Sequence, residues 1–327
     1  MRVLVTGGTG FTGKALVRRM VERGHEVTAL DCQDGYKTDE IESWGVRLVK
    51  GTVTDAALVE RSVSGMDVVF HVAAAFRDVK APPSHYREVN VTGTRLLLDA
   101  ALRQGVGKFV YCSTCGVHGG IDHPPADESA PIKPEDYYQQ SKYDAEPLVL
   151  DHARRGLRAT ILRPAAIYGP GDLGRYFLIF RQLGKRWFPV FGSGKVLYHS
   201  LYIDNFLDAF ELAMDPERGN GEAYLIADDG YQSIEELVSM AAQVMGVEPG
   251  FRRFPLWPLV AASYVVEAAC KPLGIDPPLH PRRLEWYTLD RAFDIGKARR
   301  ELGYEPRVGL ADGLRRTWEW YKAEGLL

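Results

Sequence analysis

Short runs of β-branched and apolar residues alternate with helical patterns through the first half of this 327-residue chain. Between the first two runs, apolar residues recur at helical spacing from Leu16 to Val21, and Gly24 is expected to end that helix. Such alternation is typical of βαβ units, so the sequence predicts an α/β fold with a doubly wound parallel sheet and right-handed crossovers. The predicted strands lie at residues 3–5, 27–30, 46–49, 68–72, 109–111 and 159–162.

The second half of the chain differs from the first in its residue composition. Glycine, proline and aromatic residues become frequent in stretches such as 168–172 and 191–194, which predict loops around a substrate site. Further helical patterns lie at residues 234–245, 294–302 and 310–321. We therefore expect a first domain at residues 1–163, joined by part of 200–215, and a smaller, mainly substrate-binding α/β domain at residues 164–327.

The composition excludes several classes of protein. Forty Lys and Arg against 43 Asp and Glu give a net charge of −3, so no general positive field favours nucleic acid. The N-terminus leads into a strand pattern without a secretory signal, which favours the cytoplasm, where four cysteines need not form disulfides. The apolar stretch 259–270 is shorter than the ~20 residues of a membrane span. A buried or surface-lying helix is expected there, with peripheral membrane contact through 255–274 left open.

A glycine-rich loop follows the first predicted strand and opens the first helix. Glycines at positions 7, 10 and 13 let backbone amides approach a pyrophosphate, which the N-terminus of the helix then stabilises. Asp31 follows roughly 20 residues later, where a carboxylate can bind the adenosine ribose and repel a 2′-phosphate. An ordinary tight turn and a solvated carboxylate are the alternatives. The pattern favours NAD over NADP, although Lys37 could still allow NADP.

Three further residues indicate chemistry on an alcohol or a carbonyl group. Tyr138 and Lys142 are four residues apart on a predicted helix, so they share one face. An ammonium beside a tyrosine lowers the pKa of the phenol from about 10 towards neutrality, which makes it a usable proton relay. Thr114 ends a predicted strand at the carboxyl edge of the sheet, where such folds bind ligands. A chance surface pair is the alternative for Tyr138 and Lys142 taken alone.

Taken together, these motifs resemble the extended short-chain dehydrogenase/reductases of the NAD-dependent epimerase/dehydratase family, and most of all their hydroxysteroid dehydrogenase-like and ketoacid reductase-like members. The resemblance covers nearly the whole chain and rests on TGGTGFTG, HVAAA, NVTGT, CSTCGVHG, YQQSK and RPAAIYGPGD. It implies a Rossmann-type sheet, a homodimer and a catalytic triad of Thr114, Tyr138 and Lys142. In this triad Tyr138 passes the proton and Lys142 also binds the nicotinamide ribose.

The resemblance also implies contacts with the cofactor. Besides the glycines and Asp31, the implied contacts are Phe11, Thr12, Thr52, Val53, Ala73, Ala74, Tyr138, Lys142 and Pro164. Thr52 departs from the family pattern, because many relatives carry an adenine-contacting aspartate there. Asn90 matches a structural asparagine of the family, for which simple packing is the alternative.

Substrate contacts are expected at five residues: His85, Cys115, Tyr168, Tyr198 and His199. Sugar-nucleotide dehydratases follow the catalytic threonine with Asp-Glu, whereas Cys115-Gly116 follow it here, so dehydration is disfavoured. Tyr198-His199 replace the arginine by which sugar-nucleotide enzymes grip a diphosphate, although Arg175, Arg181 or Arg186 could substitute. The predicted function is NAD-dependent oxidoreduction of a secondary alcohol or ketone in a small, largely apolar, hydroxysteroid- or β-hydroxy-acid-like substrate. Nucleotide-sugar epimerisation is the alternative.

Two patterns of histidine and cysteine residues indicate structural rather than catalytic or metal-binding roles. Cys112 and Cys115, with His118 and His123 after them, could suggest zinc or a redox dithiol, but they flank the predicted catalytic threonine on a strand end. No metal site is therefore predicted. His71 lies inside an apolar strand pattern and is expected to be a hydrogen-bonded core residue.

Overall fold

The structure is a computed structural model that describes residues 1–76, 81–270, 279 and 284–327. Its strands are β1 (Arg2–Thr6), β2 (Glu26–Asp31), β3 (Arg47–Lys50), β4 (Val68–His71), β5 (Lys108–Cys112), β6 (Ala159–Pro164), β7 (Ala166–Tyr168), β8 (Phe188–Phe191), β9 (Leu197–Tyr198), β10 (Ser200–Tyr202), β11 (Glu222–Ile226), β12 (Gln232–Ser233) and β13 (Phe251–Phe254). Its helices are α1 (Phe11–Glu22), α2 (Asp39–Ser43), α3 (Ala56–Val63), α4 (Pro83–Arg87), α5 (Gly93–Arg103), α6 (Tyr137–Arg154), α7 (Arg175–Leu183), α8 (Ile203–Ala213), α9 (Ile234–Met245), α10 (Trp257–Cys270), α11 (Glu285–Thr288), α12 (Gly296–Leu302) and α13 (Leu310–Ala323).

A seven-stranded sheet forms the centre of the molecule, in the order β11-β6-β5-β4-β1-β2-β3. All of its neighbouring strands are parallel. Helices cover both faces, and the buried residues form two clusters, which are the apolar cores on either side of the sheet. The chain order reverses between β1 and β4, and the carboxyl ends of strands at such a point form a crevice in which ligands bind. The predicted doubly wound, Rossmann-type fold is therefore confirmed.

The six strands predicted in the first half all occur, with ends within two residues of the predicted ones. Helix α9 has the predicted bounds, and α12 and α13 differ from the prediction by two residues at one end. Short π-helical and 3-10 turns, Glu88–Thr92 and Cys115–His118, were not predicted. Periodicity therefore located the regular elements but not the local irregularities near the site.

Part of the second half returns to the central sheet. Helix α8 packs on α1, where Arg19 of α1 binds Asp208 at 3.0 Å and Arg23, just after α1, binds Glu211 at 2.6 Å. Strand β11 then adds the seventh strand beside β6. The return thus extends beyond the expected 200–215 to residue 226. Small strand pairs, β7 with β10, β8 with β13 and β9 with β12, lie outside the central sheet, in the part of the chain predicted to be a second domain and called so below.

Helix α10 lies on the surface of the second domain. Its residues Trp257, Tyr264 and Val265 are exposed by 74, 61 and 68%. None of the helices within the described ranges is long and apolar enough to cross a membrane. Residues 271–274, the last part of the predicted peripheral segment, lie outside the described residues.

Candidate active site

A large cleft runs along the carboxyl edge of the sheet, between the sheet and the second domain. It encloses about 2040 Å³, roughly twice the upper range for a pocket that holds one drug-sized ligand. It therefore has room for a dinucleotide and a second molecule. The predicted site residues that line it are Gly7, Gly10, Phe11, Thr12, Gly13, Asp31, Thr52, Val53, Ala73, Ala74, His85, Thr114, Cys115, Tyr138, Pro164, Tyr198 and His199.

The glycine loop leaves no space for side chains at three of its positions, Gly7, Gly8 and Gly13. Gly7 has a φ of +72°, and a Cβ there would lie 2.7 Å from the backbone nitrogen of Ala73. A Cβ on Gly13 would lie 1.9 Å from the carbonyl oxygen of Gly7. Gly10 is the N-cap residue of α1, and no side chain caps the first amides of that helix by a hydrogen bond. The amides of Gly7, Thr9 and Gly10 are hydrogen-bonded within the protein, but the loop lies in the cleft at the N-terminus of α1, where the N–H groups of a first helical turn can bind a pyrophosphate.

Asp31, at the end of β2, is held in a fixed orientation at the cleft wall. Its Oδ2 accepts hydrogen bonds from the amide of Thr9 at 3.1 Å and from the Thr9 hydroxyl at 2.8 Å. Its Oδ1 accepts from the amide of Gln33 at 3.1 Å. Lys37, the residue that could have favoured NADP, forms an ion pair with Glu324 at 2.5 Å. Because Lys37 is paired, the Asp31 carboxylate is the charge expected beside the adenosine ribose at this end of the cleft, which fits NAD.

Thr52 and Val53 lie beside Asp31 at the same end of the cleft. The Thr52 hydroxyl lies 3.0 Å from the Thr54 hydroxyl and accepts from the Thr54 amide at 3.3 Å. Val53 is buried against the start of α5, where a Cβ on Gly93 would lie 2.6 Å from it. Contact of these two residues with an adenine stays a prediction.

The segment after β4 is fixed by buried hydrogen bonds. His71 is fully buried, and its ring nitrogens contact the hydroxyls of Thr6 at 2.7 Å and Thr94 at 2.8 Å. Burial holds the pKa of His71 well below its ordinary value. The histidine is therefore neutral and structural, as predicted. The amide of Ala73 donates to the Thr6 hydroxyl at 3.2 Å, which places Ala73 and Ala74 along the cleft.

Asn90 connects this segment to α6. It is fully buried; its Oδ1 accepts from the amide of Ala75 at 2.7 Å, and its Nδ2 donates to the carbonyl of Ala75 and to the Ser141 hydroxyl. It lies in the π-helical turn Glu88–Thr92, which directly precedes α5. These hydrogen bonds to Ala75 and Ser141 are consistent with the structural role that the resemblance implies for Asn90.

Tyr138 and Lys142 lie one turn apart on α6, which begins after Asp136 caps its first turn by accepting from the amide of Gln139 at 2.7 Å. The Tyr138 ring lines the cleft, with its centre 4.7 Å from that of Phe76. Lys142 is only 1% exposed, and its Nζ lies 4.3 Å from the centre of the Tyr111 ring. Burial lowers the pKa of Lys142 to about 8. Lys142 is thus buried and is not among the residues that line the cleft, so its contact with the nicotinamide ribose stays a prediction.

Thr114 reaches the cleft from the end of β5. Its Oγ1 accepts a hydrogen bond from the amide of Gly116 at 3.1 Å, at the start of the 3-10 turn. A threonine hydroxyl has one proton to donate. Because Oγ1 acts as an acceptor in this contact, the proton is available for an oxygen atom of a bound molecule.

A buried polar network supports the strand ends, and it was not anticipated from the sequence. Glu146 accepts from the Ser113 hydroxyl at 2.6 Å and from two nitrogens of Arg163, the nearer at 2.6 Å. Another nitrogen of Arg163 lies 3.1 Å from Nε2 of His118, whose Nδ1 contacts the carbonyl of Ala130 at 3.1 Å. No motif signalled this network, because its members come from four separate segments.

These contacts also bear on the cysteine and histidine pattern. Both ring nitrogens of His118 are engaged, and the thiols of Cys112 and Cys115 are buried. Burial raises the pKa of Cys112 to about 11 and that of Cys115 to about 12, so both are protonated thiols at neutral pH. Within the described residues, no group of three metal-ligating side chains converges.

The five expected substrate contacts fall into different environments. His85, Cys115 and Tyr198 line the cleft, and Tyr198 accepts from Arg175 at 3.1 Å. His199 lies at the wall, but its nitrogens are engaged by the carbonyl of Asp228 and the amide of Phe293. These bonds leave His199 without a polar atom for a substrate.

Tyr168 is a correction. It is 0% exposed, and its ring stacks on Tyr176 at 4.3 Å and packs on Tyr202. Its position on the short strand β7 turns the ring into the core of the second domain rather than into the cleft. The expected substrate contact at Tyr168 is therefore wrong.

The fold defines an enzyme of the extended short-chain dehydrogenase/reductase type. The glycine loop at residues 7–13 and the three residues Thr114, Tyr138 and Lys142 fit this class. The model of the NAD-dependent epimerase/dehydratase family matches residues 3–227. The chain belongs to this family, and NAD is its cofactor, as solved structures of similar proteins contain NAD.

Comparison with individual proteins gives reductases and hydroxysteroid dehydrogenases, as the sequence suggested, and also a sugar-nucleotide dehydratase, whose reaction the sequence disfavoured. The chain is 32% identical to a 2-alkyl-3-oxoalkanoate reductase of Stenotrophomonas maltophilia, over 97% of this chain and 98% of the relative. It is 31% identical to a 3beta-hydroxysteroid-dehydrogenase/decarboxylase of Arabidopsis thaliana, over 96% and 78% of the two chains. A dTDP-glucose 4,6-dehydratase of Streptomyces venezuelae with bound NAD has a TM-score of 0.80 and 29% identity, over 99% and 97% of the two chains.

Proposed function

We propose that this enzyme oxidises or reduces a secondary alcohol or ketone in a small, largely apolar substrate. The observation that carries the proposal is that the Thr114 hydroxyl and the Tyr138 ring line one cleft with the glycine loop, while Lys142 lies buried one helical turn from Tyr138. When bound, NAD supplies or accepts the hydride.

The three side chains have distinct roles in this proposal. Thr114 keeps its proton and donates a hydrogen bond from its hydroxyl to the reacting oxygen, which holds that oxygen in place. Tyr138 takes the proton from the alcohol in oxidation and returns it in reduction. Lys142, a residue of α6 whose ammonium is buried, stabilises the Tyr138 phenolate and holds the nicotinamide ribose. His85, Cys115 and Tyr198 contact the substrate.

An apolar substrate is favoured by the cleft walls and by the names of the two relatives. Leu178, Trp187 and Phe188 line the cleft, and they come from the second domain. The relatives are named for oxoalkanoate and hydroxysteroid chemistry. Both names support a hydroxysteroid- or β-hydroxy-acid-like substrate for this chain.

Nucleotide-sugar epimerisation is the second candidate, favoured by the similarity to a solved UDP-glucose 4-epimerase of Thermotoga maritima, with 27% identity and a TM-score of 0.80. An epimerase returns its hydride to the same substrate and has no need to release NAD, whereas a dehydrogenase must exchange it. Native mass spectrometry of the purified protein, before and after incubation with isotope-labelled NAD, separates the two. Rapid exchange, together with NADH formation from hydroxysteroids or β-hydroxy acids, is the expected result. Retained, unexchanged NAD and isomerisation of a nucleotide sugar would contradict the proposal.

Three finer expectations stay predictions from the sequence: a homodimer, a cytoplasmic location and peripheral membrane contact through 255–274. The exposed apolar residues of α10 support the last of these, because they are a surface that a membrane or a second copy would cover.

A further inference from the structure

Arg175 carries a positive charge into the substrate end of the cleft. Its guanidinium lies 5.3 Å from the ring centre of Tyr198 and 4.9 Å from that of Trp286, and its Nη1 donates to the Tyr198 hydroxyl at 3.1 Å. Among the residues that the structure describes, no carboxylate forms an ion pair with Arg175. A guanidinium fixed between two aromatic rings, with its charge uncompensated, is positioned to bind an anion.

Two further N–H donors, on residues that contact Arg175 or its partner Tyr198, have no acceptors among the described residues. Nε1 of Trp286 and Nε of Arg291 are buried and have no hydrogen-bond partner within the described part of the chain. Both residues line the cleft. Buried donors are normally satisfied, and leaving one unpaired costs free energy. Two such donors in the same cleft as an uncompensated arginine point to an acceptor that arrives with the substrate.

Contacts with neighbouring segments place this cluster at the end of the cleft where the reaction is proposed. Arg291 pairs with Tyr198 through a backbone bridge, and its amide donates to the carbonyl of Leu197 at 2.9 Å. Arg291 and Cys115, which directly follows Thr114, line the same cleft, and the charge of Arg291 opposes in small part the rise that burial causes in the pKa of the Cys115 thiol. Arg175, Trp286 and Arg291 are therefore on the substrate side of the proposed chemistry.

The charge balance selects the kind of anion. Glu285 binds Arg291 at 2.6 Å and also lines the cleft, so it compensates one of the two guanidinium groups. The cluster retains one net positive charge, which matches a carboxylate. A diphosphate, with more negative charge, would be repelled by Glu285 and would exceed what Arg175 can compensate.

We propose that Arg175, with the N–H groups of Trp286 and Arg291, binds the carboxylate of the substrate, which is therefore an apolar hydroxy or oxo acid. The inference rests on the proposed function and narrows its substrate class to acids. Arg175 is then the residue that separates acids from neutral alcohols of the same length.

The first test compares an acid with its own neutral ester. We expect wild type to oxidise β-hydroxydecanoate with a kcat/KM about 10- to 100-fold above that of its methyl ester. Arg175→Ala should remove this preference and Arg175→Lys should keep part of it. Arg252→Ala, which removes an exposed arginine outside the cleft, should leave the ratio unchanged. Equal kcat/KM values for acid and ester in wild type, or a preference that survives in Arg175→Ala, would overturn the inference.

A second test needs no turnover, so it separates the inference from the proposed function. Binding of decanoate and methyl decanoate to the NAD-loaded enzyme is measured by calorimetry in wild type, Arg175→Ala and Arg252→Ala. Tighter binding of decanoate that only Arg175→Ala abolishes supports the carboxylate site, even if no alcohol is oxidised and the proposed function fails. Equal binding of both ligands, or displacement of decanoate by UDP at lower concentration than by hexanoate, would contradict it.

Discussion

Asn90 donates a hydrogen bond from Nδ2 to the Ser141 hydroxyl at 2.8 Å and thereby joins the segment after β4 to α6. The Ser141 hydroxyl in turn donates to the carbonyl of Tyr138 at 2.8 Å. One buried amide thus sets the distance between the wall beside Ala73 and Ala74 and the helix that carries Tyr138 and Lys142. The cofactor and the proton relay are positioned against each other through this contact.

Asn90→Ala should therefore affect stability and cofactor binding together. The variant leaves the amide and carbonyl of Ala75 and the Ser141 hydroxyl without their buried partner, so we expect the free energy of unfolding to fall by about 2–4 kcal/mol. Urea unfolding measures this loss, and calorimetry should find a higher Kd for NAD. Gln140→Ala, on the exposed side of α6, is the matched control. Unchanged NAD affinity in Asn90→Ala would mean that Asn90 only packs.

Asp31→Ala should weaken the preference for NAD. The carboxylate, oriented by Thr9, is expected to accept from the ribose hydroxyls, so we expect the Kd for NAD to rise by about 10-fold or more. The Kd for NADP should fall, because the charge that repels the 2′-phosphate is gone. Asp34→Ala removes a nearby, more exposed carboxylate and serves as the control. Equal affinities of wild type for NAD and NADP would contradict this role of Asp31.

Alanine at Gly13 and at Gly10 should have different effects. A Cβ at Gly13 would lie 1.9 Å from the Gly7 carbonyl, so the loop must deform, and both thermal stability and NAD binding should be lost. A Cβ at Gly10 meets its nearest neighbour at 3.4 Å, an ordinary contact, and its φ of −70° suits any residue. Gly10→Ala should therefore keep the Tm of wild type but bind NAD less tightly, because the added methyl faces the pyrophosphate. Equal losses of Tm in the two variants would contradict this account of the loop.

Lys142 should make stability depend on pH. Burial lowers its pKa from 10.5 to about 8, so between these values the unfolded chain binds more protons and the free energy of unfolding rises with pH. Below pH 8 the buried ammonium costs on the order of 3 kcal/mol. Lys142→Met should therefore be more stable than wild type at pH 7, by a margin that shrinks towards pH 10 in urea unfolding. Lys133→Met, at an exposed site, is the control, and a margin independent of pH would contradict the expectation.

Much of the fold and the cofactor site could be predicted because both depend on local patterns. Strand and helix periodicity is set by neighbouring residues, and the glycine loop needs its residue types at fixed spacing, as the missing space at Gly7 and Gly13 illustrates. Asp31, Tyr138 and Lys142 lie at the positions that those elements determine.

The remaining parts depend on contacts between distant segments. Tyr168 stands in a glycine-rich stretch typical of a site loop, yet its ring is buried by α7 and α13, which lie later in the chain. Strand β11 is recognisable only from its pairing with β6. Trp286 and Arg291 belong to no motif, and only the folded chain brings them to Arg175.

The most direct test of the account is the rate of NAD reduction by Tyr138→Phe with a substrate that wild type oxidises. Phenylalanine keeps the ring against Phe76 but has no proton to exchange, so we expect kcat to fall by about 10²- to 10⁴-fold while the Kd for NAD stays within threefold of wild type. Tyr137→Phe, the exposed neighbour on α6, should keep the wild-type rate. A Tyr138→Phe enzyme that turned over like wild type would contradict the proton relay and the proposed function with it.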